Sequence, residues 1–405
     1  MGYMTHVIKG ISWVGLFRFG TRGISFFRIA IIARILSPLQ FGLFGIASLM
    51  LSMIEVITEI GINVILLQIK EKIDEYINTA WIISIIRGIL IFFIIFISSF
   101  IMVKFFNAAD AIYLIMLISL VPLIRGFINP AIIKFQKDLL FEKEFYYRTA
   151  IFFVESIVTI TLVMLLQSPS ALIWGLIAGA FFEVIISFYF IRPIPKIIFN
   201  YVIARHIISR GKWMNMTSIF SYFFQNGDKI AVGRIIGISA LGIYEMAYKI
   251  AMLPITEISN VIVRVTFPVY LRIADDKARM RKAYFQSLLL VAVVSVPIGL
   301  IFIIFPQDIV KIILGQKWLV AAPVFQVLAI VGVIQAIMGD SGAIFLANKK
   351  QEYTTINTGI SFLIMAIMIV PLTHAYGLIG AGLAVIVGAV ATLPVTIYFL
   401  VKLLK

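Results

Sequence analysis

The chain has 405 residues, 62% of them apolar and only 13% charged, with a mean hydropathy of +1.08. A soluble domain runs about 45–50% apolar and about 25% charged, so soluble enzymes, nucleic-acid-binding modules and disordered chains are excluded and a polytopic membrane protein is expected. The formal charge of +15 then belongs to cytoplasmic loops. Without cysteine there is no disulfide, thiol nucleophile or thiolate metal site, and His6, His206 and His374 lie too far apart for a histidine metal cluster.

In chain order, runs of about 20 apolar residues mark spanning helices. The first half holds Ile11–Ile35, Phe41–Gln68, Ile77–Val103, Ala111–Ile133, Tyr146–Leu166 and Ala171–Ile191. The second holds Trp213–Ile236, Leu241–Thr266, Tyr284–Phe305, Ala321–Leu346, Thr354–Leu372 and Leu378–Leu400. None shows the strict alternation of a membrane β-strand. The first carries arginines inside its apolar run, unlike a cleavable signal peptide. The expectation is an all-α polytopic membrane protein with twelve spans in two six-helix lobes.

Lys and Arg gather on the side of the first terminus and every second loop. That side has Lys9, Lys70, Lys72, Lys134, Lys137, Lys143 and Arg148, then Arg192, Lys196, Arg205, Arg210 and Lys212 near the middle. It continues through Arg272–Lys282, Lys349, Lys350, Lys402 and Lys405, whereas the other side has Arg34, Lys104, Arg234, Lys311 and Lys317. The bias predicts a multi-pass protein of the cytoplasmic membrane with both termini in the cytoplasm. The expected organisation is an N-lobe over 1–195, a basic cytoplasmic linker over 196–212 and a C-lobe over 213–405. The connection near Pro306–Val320 is the longest external one and too short for a domain.

The halves echo each other at an offset of 200. Ala33-Arg34-Ile35-Leu36 matches Gly233-Arg234-Ile235-Ile236, Gly42-Leu43-Phe44 matches Gly242-Ile243-Tyr244, and Trp13 matches Trp213. Six helices per half is an even number, so the repeat is parallel, related by an axis along the membrane normal.

Charges persist inside the spans. The basic ones are Arg18, Arg22, Arg28, Arg87, Arg125, Lys229, Lys249 and Arg264. The acidic ones are Glu55, Glu59, Glu155, Glu183, Asp228, Glu245, Glu257 and Asp340. Each costs about 2.5–3.5 kcal/mol at mid-bilayer on insertion scales. They therefore face a wet cavity, a partner charge or the headgroups.

At about 100° per residue, Arg18, Thr21, Arg22, Ser25 and Arg28 share one sector, and Ser218, Ser221, Tyr222, Gln225, Asp228 and Lys229 share the corresponding one in the second half. Ser48, Ser52, Glu55 and Glu59 form a stripe on the second helix; Glu245, Lys249, Thr256, Ser259 and Asn260 form a looser one on the eighth. A polar cleft accounts for all four. Arg18 and Arg22, one turn apart, can clamp a phosphate or pyrophosphate bidentately. The candidates for an anionic headgroup are Arg18, Arg22, Arg28, Gln225, Lys229 and Lys249. Glu55, Glu59, Asp228 and Glu245 are candidates for coupling to H+ or Na+, or for ion pairs with those cations. The plain alternative is that Arg18, Arg22 and Arg28 pair with Glu55 and Glu59 to fix packing.

Pro122, Pro254, Pro297 and Pro394 are expected to kink helices. Gly377–Gly382 reads as close helix packing, since it opens a span and follows no strand. No Gly-rich Lys-Ser/Thr loop for ATP is present, and no resident cofactor or metal is expected.

Ala33-Arg-Ile-Leu-Ser-Pro-Leu-Gln-Phe-Gly42, Gly61-Ile-Asn-Val-Ile-Leu-Leu-Gln68 and Asn78-Thr-Ala-Trp81 give the first half a recognisable form. Asn226-Gly-Asp-Lys-Ile-Ala-Val-Gly-Arg234, Ala240-Leu-Gly-Ile-Tyr-Glu-Met-Ala-Tyr248, Leu253-Pro254 and Thr266-Phe-Pro268 do so for the second. Over nearly its whole length the chain resembles the Wzx-like polysaccharide flippases of the multidrug/oligosaccharidyl-lipid/polysaccharide superfamily. The resemblance implies a two-lobed bundle that moves polyprenyl-(pyro)phosphate-linked oligosaccharides outward by alternating access, alongside glycosyltransferase and polymerase machinery. It implies no nucleic-acid partner and no enzymatic activity. The competing expectations are a cation-coupled multidrug exporter of the same superfamily and a membrane glycan polymerase or glycosyltransferase. The basic first helix disfavours the exporter. The only adjacent acidic pair, Asp275-Asp276, falls on the cytoplasmic side, which disfavours the polymerase.

Overall fold

A computed structural model of the protein describes residues 20, 23–69 and 73–404. Apart from short turns and the extended stretch 191–200 they are helical, with no strand among the described residues. The chain divides into two compact units, Met1–Phe223 and Phe224–Lys405.

The first unit takes in helical residues 23–35, then Pro38–Ile57, Ile62–Gln68, Asp74–Phe106, Phe141–Leu166 and Ser170–Phe190. The helix Pro38–Ile57 starts on a capping box. The Ser37 hydroxyl accepts from the Gln40 N–H at 3.3 Å, the Gln40 side-chain Oε1 accepts from the Ser37 N–H at 2.8 Å, and Pro38 holds the first helical position. The run expected as one span over Phe41–Gln68 is two helices. Gly61, left-handed at φ 67°, breaks it, a conformation that glycine adopts without a Cβ clash.

The expected span Ala111–Ile133 is broken as well, bending by 70° between Ala109–Arg125 and Pro130–Lys137. Pro130 keeps Asn129 extended, at ψ 113°. The fully buried Asn129 side chain rebuilds the lost helical bonds, accepting from the Ala131 N–H at 2.9 Å and donating to the Pro193 carbonyl at 3.0 Å. Ile65, Leu66, Ile77, Ala80 and Ile207 form a core beside it.

The helix Tyr201–Ile235 begins well before the expected Trp213, so the linker expected over 196–212 is helical from Tyr201 onward. Hydropathy marks where a helix leaves the bilayer, and a basic helix continues beyond that point. The division between units falls inside this helix, at Phe223–Phe224.

The second unit holds Ile238–Arg272, Lys277–Ile304, Ala322–Ala347 and Gln351–Leu404. Pro254 and Pro268 lie inside the first of these and Pro297 inside the second. Pro306–Ile313 and the turn Gln316–Ala321 fill the expected external connection, tied down by a fully buried Trp318.

By length and composition eight segments of the described residues can cross a membrane, nine with the bent pair counted as one span. The last of them, Gln351–Leu404, folds back on itself. Gly377 has φ 60° and ψ −134°, a backbone open only to glycine. A Cβ on Gly380 would run into the Leu372 carbonyl, and one on Gly388 would lie 2.7 Å from the Ser361 carbonyl. The Asn357 amide donates to the Thr396 hydroxyl at 2.9 Å. Contacts that climb one strand of the segment while descending the other define an antiparallel helical hairpin. The apolar runs Thr354–Leu372 and Leu378–Leu400 are its two arms; of the glycines expected to serve close packing, Gly380 and Gly382 sit at close contacts, whereas Gly377 has nothing within 4 Å and makes the turn instead.

Candidate functional site

Several charges of the first unit are engaged between its helices. Arg28 donates to Glu155 at 2.7 Å and to the Ser156 hydroxyl at 3.3 Å, and its guanidinium lies 5.3 Å from the centre of the Phe152 ring. Gly179 makes room for the acid, since a Cβ there would sit 3.1 Å from the Glu155 Cβ. Arg87 binds the end of the Pro38–Ile57 helix. It donates to the Thr58 and Glu55 carbonyls at 2.9 and 2.8 Å and to the Glu59 carboxylate at 3.1 Å. Glu59 also accepts from the Gly61 N–H at 2.9 Å and so stabilises the break. The Arg125 Nε is buried with no hydrogen-bond partner among the described residues.

The second unit contains a cavity of about 530 Å³. Phe224, Gln225 and Asp228 reach it from one helix and Tyr248, Met252 and Thr256 from the next. Gln335, Met338, Ser341 and Phe345 come from Ala322–Ala347. The hairpin adds Thr354, Asn357, Thr358 and Ser361 from its first arm and Thr392 and Thr396 from its second. Asp228 is the one charged side chain in the lining among the described residues. Its carboxylate accepts from the Tyr244 hydroxyl at 2.9 Å and the Lys229 N–H at 2.8 Å. Asn357 Oδ1 and Thr354 Oγ1 are buried with no hydrogen-bond partner among the described residues, and neither atom is open to the cavity.

Of the residues singled out for an anionic headgroup, Arg18 and Arg22 lie outside the described residues. Arg28 is engaged by Glu155. Gln225 lines the cavity with Asp228. The Lys229 ammonium donates to Asn226 at 2.9 Å and lies 4.5 Å from the centre of the Tyr248 ring. Lys249 and Glu245 face each other at 3.6 Å, one turn apart. Of the coupling candidates, Glu59 pairs with Arg87, and Arg87 reaches Glu55 only at its backbone carbonyl. The pairing considered between Arg28 and Glu55 or Glu59 is not formed, because Phe141–Leu166 supplies the partner.

Sequence reasoning missed the hairpin's contribution. Thr354, Asn357, Thr358 and Ser361 recur at helical spacing and form a polar stripe, the signal that would have found them. It also gave no role to Asp340. That carboxylate is fully buried and accepts from Tyr270 at 3.0 Å and Ser287 at 2.9 Å, a cluster that ties three helices together.

The family described as "Polysaccharide biosynthesis protein" matches residues 31–323. The teichuronic acid biosynthesis protein TuaB of Bacillus subtilis (strain 168) is 24% identical over 312 residues, 74% of this chain; the matched part is 62% of that protein's length. The lipopolysaccharide biosynthesis protein WzxC of Escherichia coli (strain K12) is 23% identical over 354 residues, 87% of this chain and 72% of that one. Among solved structures, the lipid II flippase MurJ in an inward closed conformation superposes with a TM-score of 0.75 at 15% identity, over 97% of this chain and 89% of that one. At that identity the likeness is one of fold.

Proposed function

Since this chain belongs to the polysaccharide biosynthesis protein family, we propose that it is a flippase. Its cargo is a polyprenyl-(pyro)phosphate-linked oligosaccharide, carried from the cytoplasmic to the outer leaflet by alternating access for surface polysaccharide biosynthesis. The observation that carries this reading is the cavity of about 530 Å³ among the helices of the second unit, where Gln225, Asp228, Asn357 and several hydroxyl side chains interrupt a mainly apolar lining in a chain that is 62% apolar. A membrane helix keeps polar groups inward where a polar solute or water meets them. The names of the relatives point to glycan polymers, and the fold shared with a lipid II flippase supports a lipid-linked cargo.

The reading places the protein in the cytoplasmic membrane with both termini inside, receiving cargo from glycosyltransferases and passing it to a polymerase. Arg18 and Arg22 serve as the phosphate clamp. Glu55, Glu59, Asp228 and Glu245 are the groups through which H+ or Na+ would drive the cycle. It is a transport reaction and requires no bond to be made or broken.

Reconstituted vesicles carrying a fluorescent short-chain polyprenyl-pyrophosphoryl oligosaccharide test it. Lipid added to one leaflet should become accessible to a membrane-impermeant quencher on the other, faster than in protein-free vesicles. Formation of a glycosidic bond in the same vesicles, with no leaflet exchange, would replace the flippase with an enzyme. Exchange that continues unchanged after both the proton and sodium gradients are collapsed removes the coupling.

A further inference from the structure

The helix Lys277–Ile304 opens with four cations, Lys277, Arg279, Arg281 and Lys282. From Ala283 to its end it carries no charge, a rise of about 33 Å, which matches a hydrocarbon core of about 30 Å. Arg281 therefore stands just outside the core, at the level of the lipid headgroups. Arg279 is held by Asp276 at 3.1 Å. Arg281 is exposed and makes no hydrogen bond or ion pair among the described residues.

Beside Arg281 runs a groove of about 420 Å³ between this helix and the last one, Leu393–Leu404. Arg281, Phe285 and Leu288 line one wall and Ile397, Val401 and Leu404 the other. Both walls have the spacing of a single helix face. Tyr284 also lines the groove, with its hydroxyl spent on Ser341 at 2.8 Å. Arg281 is the one charged side chain in this lining among the described residues. The cations open one helix and Lys402 closes the other, so Arg281 and Leu404 mark the mouth. Leu288 and Ile397 lie about 10 Å deeper. Phe285, Ile397 and Val401 are 52%, 57% and 45% exposed, so the groove opens sideways, where a spanning helix meets lipid.

A groove that is apolar along its length and cationic at its mouth has the form of an amphiphile with an anionic head. An unpaired guanidinium offers a phosphate two parallel N–H donors. The surrounding stretch Arg272–Lys282 sets five cations against Asp275 and Asp276, and basic pockets between membrane helices attract anionic headgroups.

The geometry points to a site for one anionic phospholipid, its phosphate on Arg281 and an acyl chain in the groove between Lys277–Ile304 and Leu393–Leu404. The lipid holds the last helix of the chain against its neighbour. It stays at the perimeter and is not cargo, so the inference is independent of the flippase reading.

The test titrates lipids into the full-length protein in detergent and follows its melting temperature. Phosphatidylglycerol should stabilise it, reaching half its effect at a concentration about fivefold lower than phosphatidylcholine, the scale of one cation near a headgroup. Arg281→Gln should erase that preference. Arg279→Gln, which removes an equal charge nearby, should keep it. Ile397→Trp, which fills the groove, should raise the half-effect concentration of both lipids. Equal potency of the two lipids on the unsubstituted protein would overturn the site. Equal loss of preference in Arg279→Gln and Arg281→Gln would reduce it to diffuse surface charge, and unchanged titrations in Ile397→Trp would remove the acyl chain from the groove. Stabilisation by a sugar-free polyprenyl phosphate that Arg281→Gln abolishes, with the response to phosphatidylglycerol intact, would give the groove to the cargo instead. None of these readouts requires transport, so a failed flippase assay leaves each of them decisive.

Discussion

Gly88 and Gly126 meet across two helices of the first unit with their backbones in contact. A Cβ on Gly88 would lie 2.6 Å from the Pro122 carbonyl oxygen and 3.1 Å from the Gly126 Cα, and one on Gly126 would lie 2.9 Å from the Ser84 carbonyl. Small residues let membrane helices approach this closely, and packing then replaces the missing hydrophobic drive between them. Gly88→Val or Gly126→Val should therefore destabilise by about 1–3 kcal/mol or more, read as a lower melting temperature in detergent. Gly359→Ala, at a helical position with nothing within 4 Å, should be neutral or slightly stabilising. Equal melting temperatures for all three variants would contradict the contact.

The pair Arg28–Glu155 joins residues 127 apart in sequence. Arg28→Ala strands a carboxylate among membrane helices, at a cost on the order of 2–4 kcal/mol. Membrane abundance should fall, and the added Glu155→Gln should restore it. Abundance that stays normal in Arg28→Ala would mean the guanidinium serves something other than packing.

Hydropathy found the helices because the bilayer imposes one length scale on every span, and the charged positions inside them were legible for the same reason. Which helix neighbours which was not. Arg28 was expected opposite the second helix, the nearest in sequence, yet Phe141–Leu166 supplies its partner because contacts within the bundle do not follow chain order. The break at Gly61 and the bend at Asn129–Pro130 were hidden inside apolar runs that a window average smooths over. The cavity's polar arm, Thr354 to Ser361, was hidden likewise: neutral hydroxyls barely lower a hydropathy average, whereas charges stand out.

The phosphate clamp makes its own demand. Arg22→Ala should abolish export with abundance near normal, and Arg22→Lys should recover only part, because an ammonium keeps the charge and loses the planar fork. Restoration of export in Arg22→Ala by Glu55→Gln would show a packing pair and end the clamp.

Orientation can be read from one helix. Ser239 and Ala278 are exposed positions flanking opposite ends of Ile238–Arg272, and the chain has no native cysteine. Ser239→Cys should react with an impermeant maleimide from outside the cell, and Ala278→Cys only after permeabilisation. The reverse pattern would invert the topology.

The turn at Gly377 bears on how the chain is made. Its two arms are joined with almost no intervening loop, and Lys349, Lys350 and Lys402 anchor both open ends on one side. The first arm carries Thr354, Asn357, Thr358 and Ser361, and the second meets this face with Thr392 and Thr396. The Asn357–Thr396 bond forms within the hairpin itself, so an arm entering the bilayer alone would leave that pair unmade. The hairpin is thus suited to enter as one unit, with this bond already closed between its arms.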